Sequence, residues 1–239
     1  MMNSIHTGNK GMTLIELMVA MAIASVLMAG IYTFYQNQLK SHITQEELVD
    51  MQQDARVGMY MMTREIRMAG FDPANTGATI RTANAGQIAF DSDENDDGVI
   101  DVATERFYFA LSNDADGDGI ADGTPCNLER GSWDNGLNPV ALSPVALNID
   151  ALNFVYLDGA GTVLDDDGKG NVTANMAAIR SVQITLVARS GENIRGLMYR
   201  ENDIRSYTNQ QGTVLLDAPD DDFHRIRLTA SVKVRNLGL

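Results

Sequence analysis

The longest apolar run of the chain lies near its N-terminus, from Met12 to Tyr35. No proline interrupts it, and its clearly polar residues are Thr13, Glu16, Ser25 and Thr33. At about 1.5 Å per residue a helix over this run would span roughly 36 Å, more than the roughly 30 Å hydrocarbon core of a bilayer. The pattern therefore predicts a membrane-spanning helix over 12–35.

The helical pattern continues past this segment. Apolar residues recur three or four apart, with charged and amide side chains between them, at Leu39, Ile43, Leu48, Met51, Ala55, Met59, Met62, Ile66 and Ala69. Gly70 and the Asp72-Pro73 pair then provide a stop signal. We predict one helix over about 12–69, whose amphipathic part (36–70) packs against a globular domain.

From residue 71 onward the pattern changes to short strands and turns. Alternating or continuous apolar runs predict strands at Gln87–Phe90, Glu105–Leu111, Leu147–Leu157, Arg180–Ala188 and Arg225–Arg235. Dense Asp and Gly clusters separate them, as expected for turns. The predicted class is α+β, with a long N-terminal helix packed on an antiparallel β-sheet domain over 71–239.

Charge and cysteine content narrow the function. The formal net charge is −14, which argues against nucleic acid as a partner, because phosphates attract clustered Lys and Arg. Cys126 is the single cysteine, so the chain can form no internal disulfide, Cys-rich zinc site or CxxC pair. No Ser/His/Asp pattern, phosphate-binding glycine loop or HExxH helix is present, and an enzymatic function is not predicted.

Two acidic stretches share the pattern D-x-[DN]-x-D-G-x-x-D. In loop 1 (93–101) the oxygen-bearing positions are Asp93, Asn95, Asp97 and Asp101, and in loop 2 (114–122) they are Asp114, Asp116, Asp118 and Asp122. The sixth positions are Gly98 and Gly119, and the seventh positions, Val99 and Ile120, would offer backbone carbonyls. This spacing suits Ca²⁺, which takes six to eight oxygen ligands.

Neither loop carries the bidentate glutamate that an EF-hand has at position 12, where Thr104 and Pro125 stand and Glu105 is one residue late. The alternative is a pair of solvated acidic turns. We interpret the region 91–125 as an insert that structural Ca²⁺ orders. The clusters 165–167 and 220–222 lack the spacing and are interpreted as solvated turns.

Glu16 is the unusual residue of the apolar run. Thr13-x-x-Glu16 is the signature of a capping box at a helix start. A carboxylate within a membrane is also costly unless it is paired, which makes it a candidate functional residue. The run has no small-residue cleavage site after it, so it is expected to be retained, and Lys10 before it favours a cytoplasmic N-terminus.

The stretch Gly11-Met12-Thr13-Leu14-Ile15-Glu16-Leu17 resembles the signal of type IV prepilins and type II secretion pseudopilins. The resemblance implies a leader over 1–11, cleavage after Gly11 by prepilin peptidase, and N-methylation of Met12. It also implies that Glu16 pairs with the N-terminal ammonium of a neighbouring subunit during assembly. Met12 departs from the phenylalanine usual at that position.

The stretches 63–73 and 225–239 resemble minor pilins of this family, which are related to the J pseudopilin of type II secretion. The implied partners are prepilin peptidase, other minor pilins and the major pilin. The implied location is the inner membrane, with a periplasmic C-terminal domain, and then the pilus at the cell surface. Three functions remain open: a minor pilin that primes assembly or sits at the tip, a J-like pseudopilin, and a tip adhesin.

Overall fold

The computed structural model describes residues 11–123, 126–191 and 203–237. The predicted leader therefore lies outside the described residues except for Gly11. The chain divides into two compact units, Met1–Gln45 and Glu46–Leu239. Helix α1 (Leu14–Met68) is 55 residues long and contributes to both units.

Helix α1 confirms the prediction of one continuous helix to within two residues at each end. Its N-terminal part is long and apolar enough to cross a membrane, and every residue over 11–35 is exposed. The turn after the helix contains Gly70, which adopts a φ of +72°. A side chain at Gly70 would be strained at that φ and would collide with Leu237.

The apolar stripe of the helix is buried only in its C-terminal portion. The buried positions include Met51, Ala55, Met59, Met62 and Ile66. Leu39 and Ile43, which lie in the first compact unit, are exposed. Within the second compact unit, the stripe is half-buried at Leu48 and buried at Met51.

The globular unit contains two main antiparallel sheets in place of the single sheet predicted. The first has five strands in sequential order: β1 (Ile80–Ala83), β2 (Ile88–Asp91), β3 (Arg106–Leu111), β4 (Leu128–Trp133) and β5 (Pro139–Ala146). The second has four strands in the order β11-β8-β6-β7: β6 (Ile149–Leu157), β7 (Val163–Leu164), β8 (Ser181–Arg189) and β11 (Arg225–Lys233). All five predicted strands are present.

A two-stranded ribbon, β9 (Tyr207–Thr208) with β10 (Val214–Leu216), completes the strands, and Met176–Ala178 forms one 3-10 turn. The main core joins the buried stripe of α1 to both sheets, with Phe90, Phe109, Phe154 and Tyr156 among its largest side chains. A second cluster under the ribbon contains Ala151, Val187, Tyr207 and Leu215. Strand β6 is therefore buried on both faces along all nine residues.

The region 91–125 is not an insert in the structural sense. It contains β3, which pairs with β2 on one side and β4 on the other. Phe107 and Phe109 of β3 lie in the main core. Loop 1 precedes this central strand and loop 2 follows it, so the two acidic loops flank a strand that the sheet requires.

Candidate functional site: the N-terminal segment and two acidic loops

The N-terminal segment forms the capping box that the sequence predicts. One carboxylate oxygen of Glu16 accepts hydrogen bonds from the Thr13 amide at 2.8 Å and the Thr13 hydroxyl at 3.0 Å. In return the Glu16 amide donates to the Thr13 hydroxyl at 3.3 Å. In the isolated chain, Glu16 thus caps the N-terminus of its own helix. Gly11 and Met12 precede the helix and are exposed.

Loop 2 brings together most of its predicted ligands. Carboxylate oxygens of Asp114, Asp116 and Asp122 all lie within 4.8 Å of one another, a spacing that one cation could bridge. Asp118 is the predicted ligand outside this group, and its carboxylate instead accepts a hydrogen bond from the Ile120 amide at 2.7 Å. Three carboxylates together make a hard, oxygen-rich site of the kind that Ca²⁺ prefers.

The carboxylates of loop 2 also hold the loop in shape. Asp114 accepts hydrogen bonds from the amides of Gly117 at 2.8 Å and Gly119 at 2.9 Å. Burial raises the pKa of Asp114, and the nearby charges of Asp118 and Asp116 raise it further, although the two amides oppose this. The negative charge gathered here is therefore only partly compensated by the protein.

Loop 1 has a different arrangement. Asp93 is fully buried, and neither of its carboxylate oxygens has a hydrogen-bond partner. Within the described residues, Asp93, Asp97 and Asp101 do not form a group of the kind seen in loop 2. A buried carboxylate without partners is unstable by several kcal/mol, and a bound cation is one way to satisfy it.

Glu105, which lies one residue past position 12 of the motif, organises loop 1. One of its carboxylate oxygens accepts the amides of Glu94 at 3.0 Å and Asn95 at 3.1 Å, and the other accepts the Asp101 amide at 2.9 Å. Glu105 is buried, and it closes loop 1 by accepting these three backbone amides. The acidic residue just past the motif was the available signal, but its role as an amide acceptor depends on the folded loop.

The sixth positions of both loops have the backbone that the motif requires. Gly98 adopts a φ of +79° and Gly119 a φ of +83°. Gly119 is also pressed against strand β6, where its carbonyl accepts the Leu152 amide at 2.8 Å. Both glycines therefore adopt the left-handed conformation that a sharp turn needs, and the roles of the Val99 and Ile120 carbonyls as ligands stay predictions.

The other acidic clusters serve as turns. The carboxylate of Asp166 accepts the amides of Thr173 at 2.7 Å and Ala174 at 2.8 Å, and Asp167 accepts the Lys169 amide at 2.8 Å. All of 165–168 is exposed. Asp221 belongs instead to a buried polar cluster, so the interpretation of 220–222 as only a solvated turn is wrong for this residue.

The buried polar cluster surrounds Arg225. Its guanidinium lies 2.6 Å from both Asp150 and Asp221, and 3.4 Å from Asp203. Asp203 also accepts the Tyr207 hydroxyl at 2.6 Å. Burial is the largest influence on the pKa of Asp150 and raises it, because the opposing attraction of Arg225 and Arg189 is not enough to reverse it. This cluster supports the fold and lies apart from the acidic loops in sequence.

Cys126 is buried, and burial raises the pKa of its thiol. A buried thiol with a raised pKa is mostly protonated and a poor nucleophile. Cys126 lies two residues before the start of β4. Pro125, which stands at position 12 of loop 2, lies outside the described residues.

Comparison with known proteins places the N-terminal segment and the globular part in related families. The model of the prokaryotic N-terminal methylation motif matches residues 7–32. The model described as prepilin peptidase-dependent protein B matches residues 44–215. No curated protein sequence matches the chain.

A similar solved structure is that of a type IV-like pilin from Thermus thermophilus. It shares 15% sequence identity and a TM-score of 0.48, over 78% of this chain and 97% of that pilin. A likeness at this level adds nothing to the fold described above. The protein B match covers well over half of the chain, and the methylation motif covers the segment that contains Gly11, Met12 and Glu16. The chain therefore belongs to the prepilin peptidase-dependent protein B family and is a type IV pilin-family protein.

Proposed function

We propose that the protein is a minor type IV pilin of the PilW kind, a structural subunit that helps prime a pilus or sits at its tip. The observation that carries this proposal is the complete exposure of the apolar helix over 11–35. An exposed surface of that size requires a lipid environment first and neighbouring helices afterwards. A filament subunit that moves from the membrane into a helical bundle meets both requirements.

Processing follows from the methylation motif. Prepilin peptidase cleaves after Gly11, and Met12 becomes the methylated N-terminus. Glu16 then has two successive partners. In the single chain its carboxylate accepts the Thr13 amide, and in the assembly it pairs with the Met12 ammonium of a neighbouring subunit.

The partners of the mature chain are other minor pilins and the major pilin. Before assembly the chain spans the inner membrane once, with the globular unit in the periplasm. A J-like pseudopilin role uses the same processing and the same fold, and the presence of a pilus locus beside the gene distinguishes the two. The tip-adhesin alternative is less favoured, because loops 1 and 2 flank the central strand β3 and do not form a separable module.

Ca²⁺ is the cofactor that the acidic loops fit. Loop 2 supplies Asp114, Asp116 and Asp122 as a three-carboxylate group, and loop 1 supplies the unsatisfied, buried Asp93. The remaining predicted ligands are the side chains of Asn95, Asp97, Asp101 and Asp118 and the backbone carbonyls of Val99 and Ile120. The ion would be structural, because the protein family assembles filaments and the role of the ion would be to neutralise the carboxylates of the loops.

Intact mass of the protein from membranes of cells with a working prepilin peptidase tests the proposed processing. We expect a chain that begins at Met12 and carries one additional methyl group. The Gly11→Leu variant should remain as the full-length precursor, because the peptidase recognises the small residue before the cut. A full-length wild-type chain, or one cut elsewhere, would contradict the proposal.

Glu16→Ala should separate processing from assembly. The variant keeps Gly11 and should be cleaved and methylated normally. Its incorporation into sheared pili or into complexes with other minor pilins should fall at least tenfold, because the Met12 ammonium of the neighbour then lacks its partner. Ser25→Ala is the matched control within the same segment, since the Ser25 hydroxyl only donates to the Ala22 carbonyl at 2.8 Å. Equal incorporation of both variants would reduce Glu16 to a helix cap.

A further inference from the structure

We propose that Ca²⁺ in loop 1 fixes the C-terminal end of helix α1 to the five-stranded sheet, so that the cation controls the order of the helix exit. This inference rests on the calcium assignment made above and gives the ion in loop 1 a defined consequence. It concerns Asp93, the backbone of 91–93 and the turn that follows Met68, all of which lie in the second compact unit.

Asp93 is the residue on which the cation acts. It is fully buried at the base of loop 1, and both carboxylate oxygens lack a donor. Neighbouring loop amides have other acceptors: those of Glu94 and Asn95 donate to Glu105, and that of Val99 donates to Asp97 at 2.8 Å. A hard cation is therefore the partner that this carboxylate fits.

The same short segment holds the end of the helix. The Asp93 amide donates to the Phe71 carbonyl at 2.7 Å, and the Gly70 amide donates to the Asp91 carbonyl at 2.9 Å. These two bonds join the helix exit to the last residue of β2 and the first residue of loop 1. The cost of an uncompensated buried charge at Asp93 therefore falls on this backbone, and a bound cation would remove it.

Loop 1 and the helix end also share a groove of about 870 Å³. The helix contributes Tyr60, Arg64 and Arg67 to its lining, and the loop region contributes Glu94 and Thr104. Ordering of 91–105 therefore sets the shape of one wall of this groove. The cation would thereby control the shape of this groove, which faces away from the core.

The chain contains its own reporter for loop 1. Trp133 is the single tryptophan, and the Arg106 guanidinium, one residue after Glu105, lies 4.3 Å from its ring centroid. Ser132 also donates through its hydroxyl to the Val102 carbonyl. Movement of loop 1 should therefore change Trp133 fluorescence, whereas loop 2 has no such contact with the ring among the described residues.

The experiment uses the full mature chain in detergent micelles, titrated with Ca²⁺ after chelator treatment and with Mg²⁺ as the comparison ion. Trp133 fluorescence measures binding at loop 1, and hydrogen–deuterium exchange measures the order of 68–79. The test variant is Asp93→Asn, which removes the buried charge and should therefore fold without calcium. Asp116→Asn is the matched control in loop 2.

We expect Ca²⁺ to change Trp133 fluorescence and to slow exchange over 68–79 at least tenfold in the wild type and in Asp116→Asn. Asp93→Asn should show neither response. Binding at loop 1 with unchanged exchange over 68–79 would overturn this inference and leave the calcium assignment standing. No response of Trp133 to Ca²⁺ would overturn both this inference and the assignment of Ca²⁺ to loop 1.

Discussion

Arg225→Met should lower the free energy of unfolding by about 3–5 kcal/mol, because it removes the buried guanidinium that Asp150, Asp203 and Asp221 share. The Arg225 guanidinium lies 2.6 Å from Asp150 and 2.6 Å from Asp221, and its side chain is only 4% exposed. Methionine replaces the volume of the side chain but offers no donor. The measurement is denaturant unfolding of the mature chain in micelles, followed by Trp133 fluorescence.

The size of this effect follows from the number of groups that meet at one guanidinium. Asp150 is on β6, Asp221 precedes β11, and Asp203 follows the stretch 192–202 that lies outside the described residues. Arg189 adds a second guanidinium 3.2 Å from Asp150 but does not contact Asp221 or Asp203 in the described ion pairs. Arg225 is therefore the common partner that joins these segments.

Arg205→Met is the matched control for Arg225→Met. Arg205 also pairs with Asp203, at 3.0 Å, but its side chain is 64% exposed. Exposed ion pairs contribute about 0–1 kcal/mol, so this variant should change stability little. Losses of similar size in the two variants would show that the buried cluster does not stabilise the fold in the proposed way.

The sequence predicted the elements of this fold wherever a strand or helix buries one clear face. On β8, Val182, Ile184 and Leu186 alternate as predicted and are fully buried. Val187 points to the opposite face and is also fully buried, because the ribbon of β9 and β10 covers it with Tyr207 and Leu215. The alternation of apolar residues along a single strand does not predict that a segment 20 residues or more away in sequence covers the opposite face.

The strands of the five-stranded sheet that the sequence missed are its two edge strands, β1 and β5, and the interior strand β4, whose residues mix polar and apolar types. Strand β5 contains Pro139 and Pro144, lies at the edge of the five-stranded sheet and is largely exposed, so it lacks both the composition and the alternation of a strand. Strand β1 is the other edge and is only four residues long. Such strands form because their neighbours are in place, which local propensity does not report.

The candidate sites were predictable in their residues more than in their geometry. The D-x-[DN]-x-D-G-x-x-D spacing predicted both acidic loops and their glycines, and the Gly11 to Glu16 motif predicted the processing segment. The isolation of Asp93 was not predictable, because it depends on Glu105 taking the amides of the loop. The Arg225 cluster was not predictable either, because Asp150 and Arg225 are 75 positions apart.

Gly119→Ala should be the most disruptive single-methyl change in the acidic loops. Gly119 has a φ of +83°, and a Cβ there would collide with the Leu152 carbonyl oxygen and the Gly86 backbone. The positive φ costs about 1–2 kcal/mol for a residue with a side chain, and the collision adds roughly 1–3 kcal/mol, because backbone on both sides must move. We expect the free energy of unfolding to fall by about 2–5 kcal/mol in the same unfolding assay.

The change should also weaken any cation site in loop 2. The Gly119 amide donates to Asp114 at 2.9 Å, and the Gly119 carbonyl accepts the Leu152 amide at 2.8 Å, so displacement of this residue moves a predicted ligand away from Asp116 and Asp122. Gly117→Ala is the matched control: its φ of +76° is similar, but a Cβ there meets no atom within 4 Å. This control should lose only the conformational part, about 1–2 kcal/mol. If the two alanine variants lose equal stability, the close approach of loop 2 to β6 is not what makes glycine necessary at position 119.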